Sequence, residues 1–212
     1  VIISLFYTPY MIKILGQSEY GLYNTVASTI SMMSVLSLGF NSSYIRYYSR
    51  YKEENNAEGI SKLNGLFIII FTAIGFVALV CGLYISEHLN IVFKDGLTVG
   101  EYALAKKLLI LLTVNLAISF PMSVFADIIS AHEQFVFLKL LGVIKTVCSP
   151  LLTIPLLFAG YHSVAIVTIT IVLALFTDTM YLIFVVGHLK EKFVFNGFEK
   201  GLFREILTYT SF

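Results

Sequence analysis

The sequence predicts an all-α, polytopic transmembrane bundle, and three observations carry that prediction. Of its 212 residues 58% are hydrophobic and only 13% charged, with a mean hydropathy of +0.86, whereas charged residues supply roughly a quarter of positions in soluble domains. Apolar runs recur at the length that crosses a bilayer, about 20 residues for roughly 30 Å of hydrocarbon at 1.5 Å per residue. Between them lie short polar breaks, beginning with ILGQSEYGLYNTVAS from Ile14 to Ser28, which reads as the turn of a membrane hairpin.

Taken in order, the expected spans number about six. Val1 to Leu15 is the first, with Pro9 inside it, and it opens without the basic leader or small-residue cleavage site of a signal peptide. A membrane helix tolerates such a proline when neighbours satisfy the released carbonyl. Tyr20 to Tyr44 is the second span. The next break, RYYSRYKEENNAEGISK, mixes both signs of charge and belongs in water. Leu63 to Ile85 is the third span, and SEHLNIVFKDGLTVGEY after it is a surface loop in which Thr98 and Glu101 form a capping box. The fourth span runs from about Tyr102 to Phe125 and contains Pro121. The fifth covers about Phe137 to Phe158, with Pro150 and Pro155, and a tight AGYHS turn leads to the sixth, about Val164 to Gly187. Residues 1–187 therefore read as one six-helix lobe, and 188–212 as a charged, aromatic amphipathic segment lying along the membrane surface. The first span lacks its start, and EILTYTSF stops as another apolar run begins, so the chain is expected to be a fragment.

Basic residues orient the bundle. Arg46, Arg50, Lys52 and Lys62, then Lys139, then Lys190, Lys192, Lys200 and Arg204 fall in alternate breaks, while the others hold only Lys13, Lys94, Lys106 and Lys107. The first group is expected to face the cytoplasm, with the N-terminus inside and the opening hairpin turn outside. Tyr44, Tyr47, Tyr48 and Tyr51 then fit an aromatic belt at the inner interface.

Several function classes are excluded or weakened. A net charge of +1 with dispersed basic residues makes no case for nucleic acid. Cys81 and Cys148 lie in apolar runs and read as packing residues, with no disulfide or zinc framework. His132 and Glu133 start like a metalloprotease motif, but Val136 stands where the second His is required. The four histidines, His88, His132, His162 and His188, sit at span ends, where solvated imidazoles are ordinary. No cofactor or metal site is legible, and catalysis is the weak hypothesis.

Deep ionisable residues are the functional candidates, because a charge at the bilayer centre costs about 2.5 to 3.5 kcal/mol on insertion scales. Asp178 in the sixth span and Lys145 in the fifth fall at comparable depth on consecutive antiparallel helices. An ion pair that braces the lobe and a role in a polar cavity are about equally compatible with that placement. Arg46 either faces a cavity or snorkels to headgroups. Asn41, in the run Gly39 to Ser43, either supports close helix packing or lines a vestibule. Lys13 reads first as an interfacial anchor. Gln17 and Glu19 shape the hairpin turn and its helix start.

A proline in the first span, then LGQSEYGLYN, then an apolar run ending LSLGFNSSYIRYYSRY, then ADIISAHEQFVFLKLLGVIK, resembles the Wzx-type oligosaccharide flippases of polysaccharide biosynthesis, within the multidrug/oligosaccharidyl-lipid/polysaccharide exporter superfamily. The resemblance covers essentially the whole chain. It implies two six-helix lobes that rock around a central cavity in a bacterial plasma membrane, with the charged tail linking them. Its implied substrate is an undecaprenyl-diphosphate-linked oligosaccharide, and a polysaccharide polymerase is a candidate partner beside the bilayer itself. It hands over no catalytic residues; cationic side chains toward the pyrophosphate are what the chemistry requires, and Arg46, Lys145 and Lys13 are available. A drug or cation antiporter of the same superfamily would need a membrane carboxylate, for which Asp178 is the candidate. A membrane-embedded glycan polymerase or acyltransferase would need a large outer loop or deep His and Arg pairs.

Overall fold

A computed structural model describes residues 2–37, 40–93 and 97–197, and among them shows a bundle of six α-helices, with short 3-10 turns in two of the connections and a π turn after the last helix. Lys94, Lys200, Arg204, Gly39 and the tail beyond Gly197 lie outside the described residues.

The expected hairpin is present and turns on one residue. Helix α1, Ile2–Met33, is folded at Gly16, whose backbone (φ 79°, ψ 166°) is not helical and lies in a region open to glycine. Before the break Met11 and Leu15 pack with Leu157 and Ile166; after it Leu22, Val26 and Ile30 pack with Ala105, Leu108, Leu109 and Leu112. The expected second span, Tyr20 to Tyr44, is not one helix. Helix α1 ends at Met33, a 3-10 turn covers Ser34–Ser37, and α2 restarts at Phe40 and runs to Glu53. Ser31, Ser34 and Ser37 explain the local change, because Ser34 and Ser37 Oγ each donate to the carbonyl three residues back, at 2.6 and 2.8 Å, competing with the α-helical pattern.

The remaining four helices meet the length and apolarity of membrane spans: α3 (Ala57–Glu87), α4 (Val99–Ala131), α5 (Phe135–Phe158) and α6 (His162–Ile183), which continues as a π turn over Phe184–Leu189. Thr98 and Glu101 form the expected capping box at the start of α4. Among all helix pairs α3 and α4 have the most extensive contact. A Cβ on Gly75 would come within 2.6 Å of the Ala117 carbonyl oxygen, and one on Gly82 within 2.3 Å of the Thr113 methyl. In a bilayer, where apolar side chains have no water to escape, such small residues allow the backbone approach that holds helices together.

Two expectations about side chains are corrected. Tyr44, Tyr47 and Tyr48 do not form an interfacial belt: they are buried, with Phe67, Phe71, Val124 and Ile128, in the largest apolar cluster. The amphipathic α2 turns this tyrosine face inward and exposes Ile45, Arg46 and Arg50. Cys81 is exposed on α3 and Cys148 half-buried on α5, so Cys81 packs against no core.

Candidate functional site

Polar side chains gather in three places. At the end of the bundle where α3 starts and α4 ends, the segment after α6 folds back as a strap without regular secondary structure. Lys190 takes a left-handed conformation (φ 55°), and the strap's Val194 N–H donates to the Ser61 carbonyl at 2.9 Å. Glu191 is the centre of this region. Asn64 Nδ2 donates to its Oε2 at 3.0 Å and to the Lys192 carbonyl at 3.2 Å, and Tyr44 donates to Asn64 Oδ1 at 2.6 Å. His132 Nε2 lies 2.8 Å from Glu191 Oε1 and 2.7 Å from the Tyr48 hydroxyl. A carboxylate only accepts, so Nε2 carries the proton, which points toward Glu191 with the Tyr48 oxygen beside it. Burial, followed by the nearby charge of Glu191, pushes the Tyr48 phenol up to about 12, which keeps it protonated. Nearby, Asp127 is 6% exposed and its Oδ2 has no hydrogen-bond partner.

The opposite end is tied by the hairpin turn. Ser18 donates to Glu101. Glu19 accepts from Ser163 N and Oγ at 2.8 and 2.6 Å, and contacts His162 Nδ1 at 3.1 Å. Its carboxylate thus sits on the first N–H groups of α6, where the helix dipole favours negative charge. The turn residues fasten the starts of α4 and α6 to α1.

The third place lies along α5 and α6. Lys145 is half-buried, about 15 Å along α5 from its start at 1.5 Å per residue. Its charge acts on half-buried Asp178, yet the two form no ion pair, and Asp178 Oδ2 has no hydrogen-bond partner. The structure therefore brings these two candidates near one another without closing the pair that their depth allowed. A groove of about 720 Å³ runs along the adjacent face of α5, lined by Ser130, Leu138, Lys139, Gly142, Thr146 and Val147 among others. The other candidates are dispersed: Lys13 is exposed on α1, and Asn41 and Arg46 are exposed on α2. Among the described residues no three metal-ligating side chains converge.

Sequence reasoning missed the Glu191 centre. His132 is not a merely solvated span-end imidazole, because it is fixed between Tyr48 and Glu191. Its strongest legible signal was Asn64, an amide standing within the otherwise apolar LNGLFIII, since a buried amide requires partners.

The family is decided by one comparison. Residues 1–212 match the family described as Polysaccharide biosynthesis protein. The chain belongs to the polysaccharide biosynthesis protein family. Neither the curated proteins nor the solved structures gave a match. Members of this family are typically transporters rather than enzymes, and among the described residues four helices are long and apolar enough to cross a membrane, as in a multi-pass membrane protein. The Wzx-like order of motifs along the chain agrees with that membership.

Proposed function

We propose that this family member moves an undecaprenyl-diphosphate-linked oligosaccharide from the cytoplasmic to the outer leaflet of a bacterial plasma membrane, by alternating access. The observation that carries the reading is the whole-length family match on a bundle of membrane-spanning helices. A glycan assembled on a lipid carrier meets a barrier that such a bundle can relieve, because every charge and hydroxyl of the headgroup would lose its water in hydrocarbon. Residues 1–187 would act as one lobe and 188–212 as its connection to a second, with the N-terminus cytoplasmic. Lys145, Asp178, Asn41, Arg46 and Lys13 are the proposed headgroup contacts. Lys145 and Asp178 are the best supported, being half-buried, within electrostatic reach of one another and not paired. A polymerase partner fits the same pathway.

Deleting the gene should leave lipid-linked glycan accumulated on the cytoplasmic face, and the full-length protein should restore export. If Arg46→Ala and Lys145→Ala proteins that reach the membrane export glycan at the normal rate, the cationic assignment fails. The unpartnered carboxylate oxygen of Asp178 favours one second reading, a cation antiporter. Cation-driven uptake in proteoliposomes that is lost in Asp178→Asn, without any effect on lipid-linked glycan, would select it.

A further inference from the structure

The segment from Phe184 to Gly197 combines a weak point in a helix with a built docking site. The helix widens into a π turn at Phe184–Leu189, a rare geometry that recurs at functional positions. Lys190 then reverses the chain in the left-handed region, which L-residues other than Asn and Asp seldom adopt. Beyond Lys190 the chain has no regular secondary structure, and past the Glu191 N–H, which donates to the Val185 carbonyl at 3.3 Å, it is held by other elements. Val194 donates to Ser61, Phe193 meets the Phe125 ring edge to face at 5.8 Å, and Glu191 is gripped by Asn64 of α3 and by His132 at the end of α4, which in turn meets the Tyr48 hydroxyl of α2. Gly65 leaves the space: a Cβ there would lie 2.1 Å from the Val194 carbonyl oxygen. Hinge, catch and seat are thus carried by separate residues.

We propose that residues 184–197 form a releasable latch, with the π turn and Lys190 as hinge and Glu191 as catch, whose engagement holds the ends of α2, α3, α4 and α6 in one arrangement. The latch rests on the transport reading in one respect, that it opens during each export cycle. Its contacts suit release. Besides the Phe193 to Phe125 ring contact, the strap is held by hydrogen bonds at Val194 N–H, the Lys192 carbonyl and the Glu191 carboxylate, and water can replace each of these once it lifts.

The test uses the full-length protein with Cys81→Ser and Cys148→Ser, carrying Ser61→Cys and Val194→Cys. A short, reductively cleavable bifunctional thiol reagent joins the new pair when the strap is seated. Cross-linking is expected to be efficient, and to fall several-fold on adding Gly65→Ala, which fills the seat, or Glu191→Gln, which removes the charge of the catch. Equal cross-linking in all three proteins would overturn the docking site. In membranes, the cross-linked protein is expected to stop exporting lipid-linked glycan and to regain export when the linker is reduced. Undiminished export by the cross-linked protein would show a fixed brace and overturn release. Seating is read without substrate, so failure of the transport reading would show as absent export in the uncross-linked protein with the seating results intact.

Discussion

Asn64 shows how much one side chain can organise. It lies fully buried in α3, takes a hydrogen bond from Tyr44 and gives two to the strap. Replacing it with Leu keeps the volume but leaves the Tyr44 hydroxyl and part of the Glu191 carboxylate without partners, a loss of about 1 to 3 kcal/mol. The expected result is a lower thermal unfolding midpoint for Asn64→Leu in detergent; an unchanged midpoint would mean that water supplies those bonds. Tyr48→Phe should cost less, since His132 and Asn64 still reach Glu191. At this scale the sequence was only partly legible. Depth along a span singled out Lys145 and Asp178 because charge in an apolar run is visible by itself. Glu191 and His132 look like ordinary surface residues until the chain folds back, and nothing in KEKFVF encodes which partners lie 59 and 127 positions away. Tyr44, Tyr47 and Tyr48 misled for a related reason: the aromatic spacing that suits an interface equally suits a buried face of α2.

Between helices, close approach rather than greasiness decides fit. Gly75→Ala would place a methyl 2.6 Å from the Ala117 carbonyl, which belongs to the α4 backbone and cannot turn aside. Overpacking of this kind costs about 1 to 3 kcal/mol, so Gly75→Ala should lower the unfolding midpoint. Gly142→Ala is the control, because a Cβ on that α5 residue meets nothing within 4 Å and Ala is favoured over Gly in a helix by about 1 kcal/mol. Equal effects from both would refute the close α3 to α4 seam. Glu19 makes a second prediction between elements. Glu19→Gln weakens a charged cap on α6, with a cost of about 0.5 to 2 kcal/mol, read as faster hydrogen exchange over the first turn of α6. The polar break was legible as a turn, and its helix-capping target was not, since Ser163 lies 144 residues away. The run of apolar residues 20–44 likewise concealed a break that hydroxyl side chains at Ser34 and Ser37 introduce without lowering the count of apolar neighbours.

For the whole molecule, the transport reading turns on why Lys145 and Asp178 are near but unpaired. If they serve only to offset one another, removing Lys145 alone isolates the Asp178 charge and is harmful, whereas removing both relieves the defect. If they meet a headgroup, the double substitution forfeits both contacts. A charge-assisted hydrogen bond contributes about 1.5 to 3 kcal/mol, and each 1.4 kcal/mol is tenfold in a binding constant, so Lys145→Ala should reduce export of lipid-linked glycan by roughly ten- to a hundredfold at limiting substrate. Lys145→Ala with Asp178→Ala should be no better than Lys145→Ala, and Lys145→Arg should recover part of the activity because a guanidinium also binds a diphosphate. The comparison is made on proteins present at equal level in the membrane, with thermal midpoints measured alongside. Recovery of export in the double variant would assign the pair to bracing the α5 and α6 helices and remove both residues from the transport path.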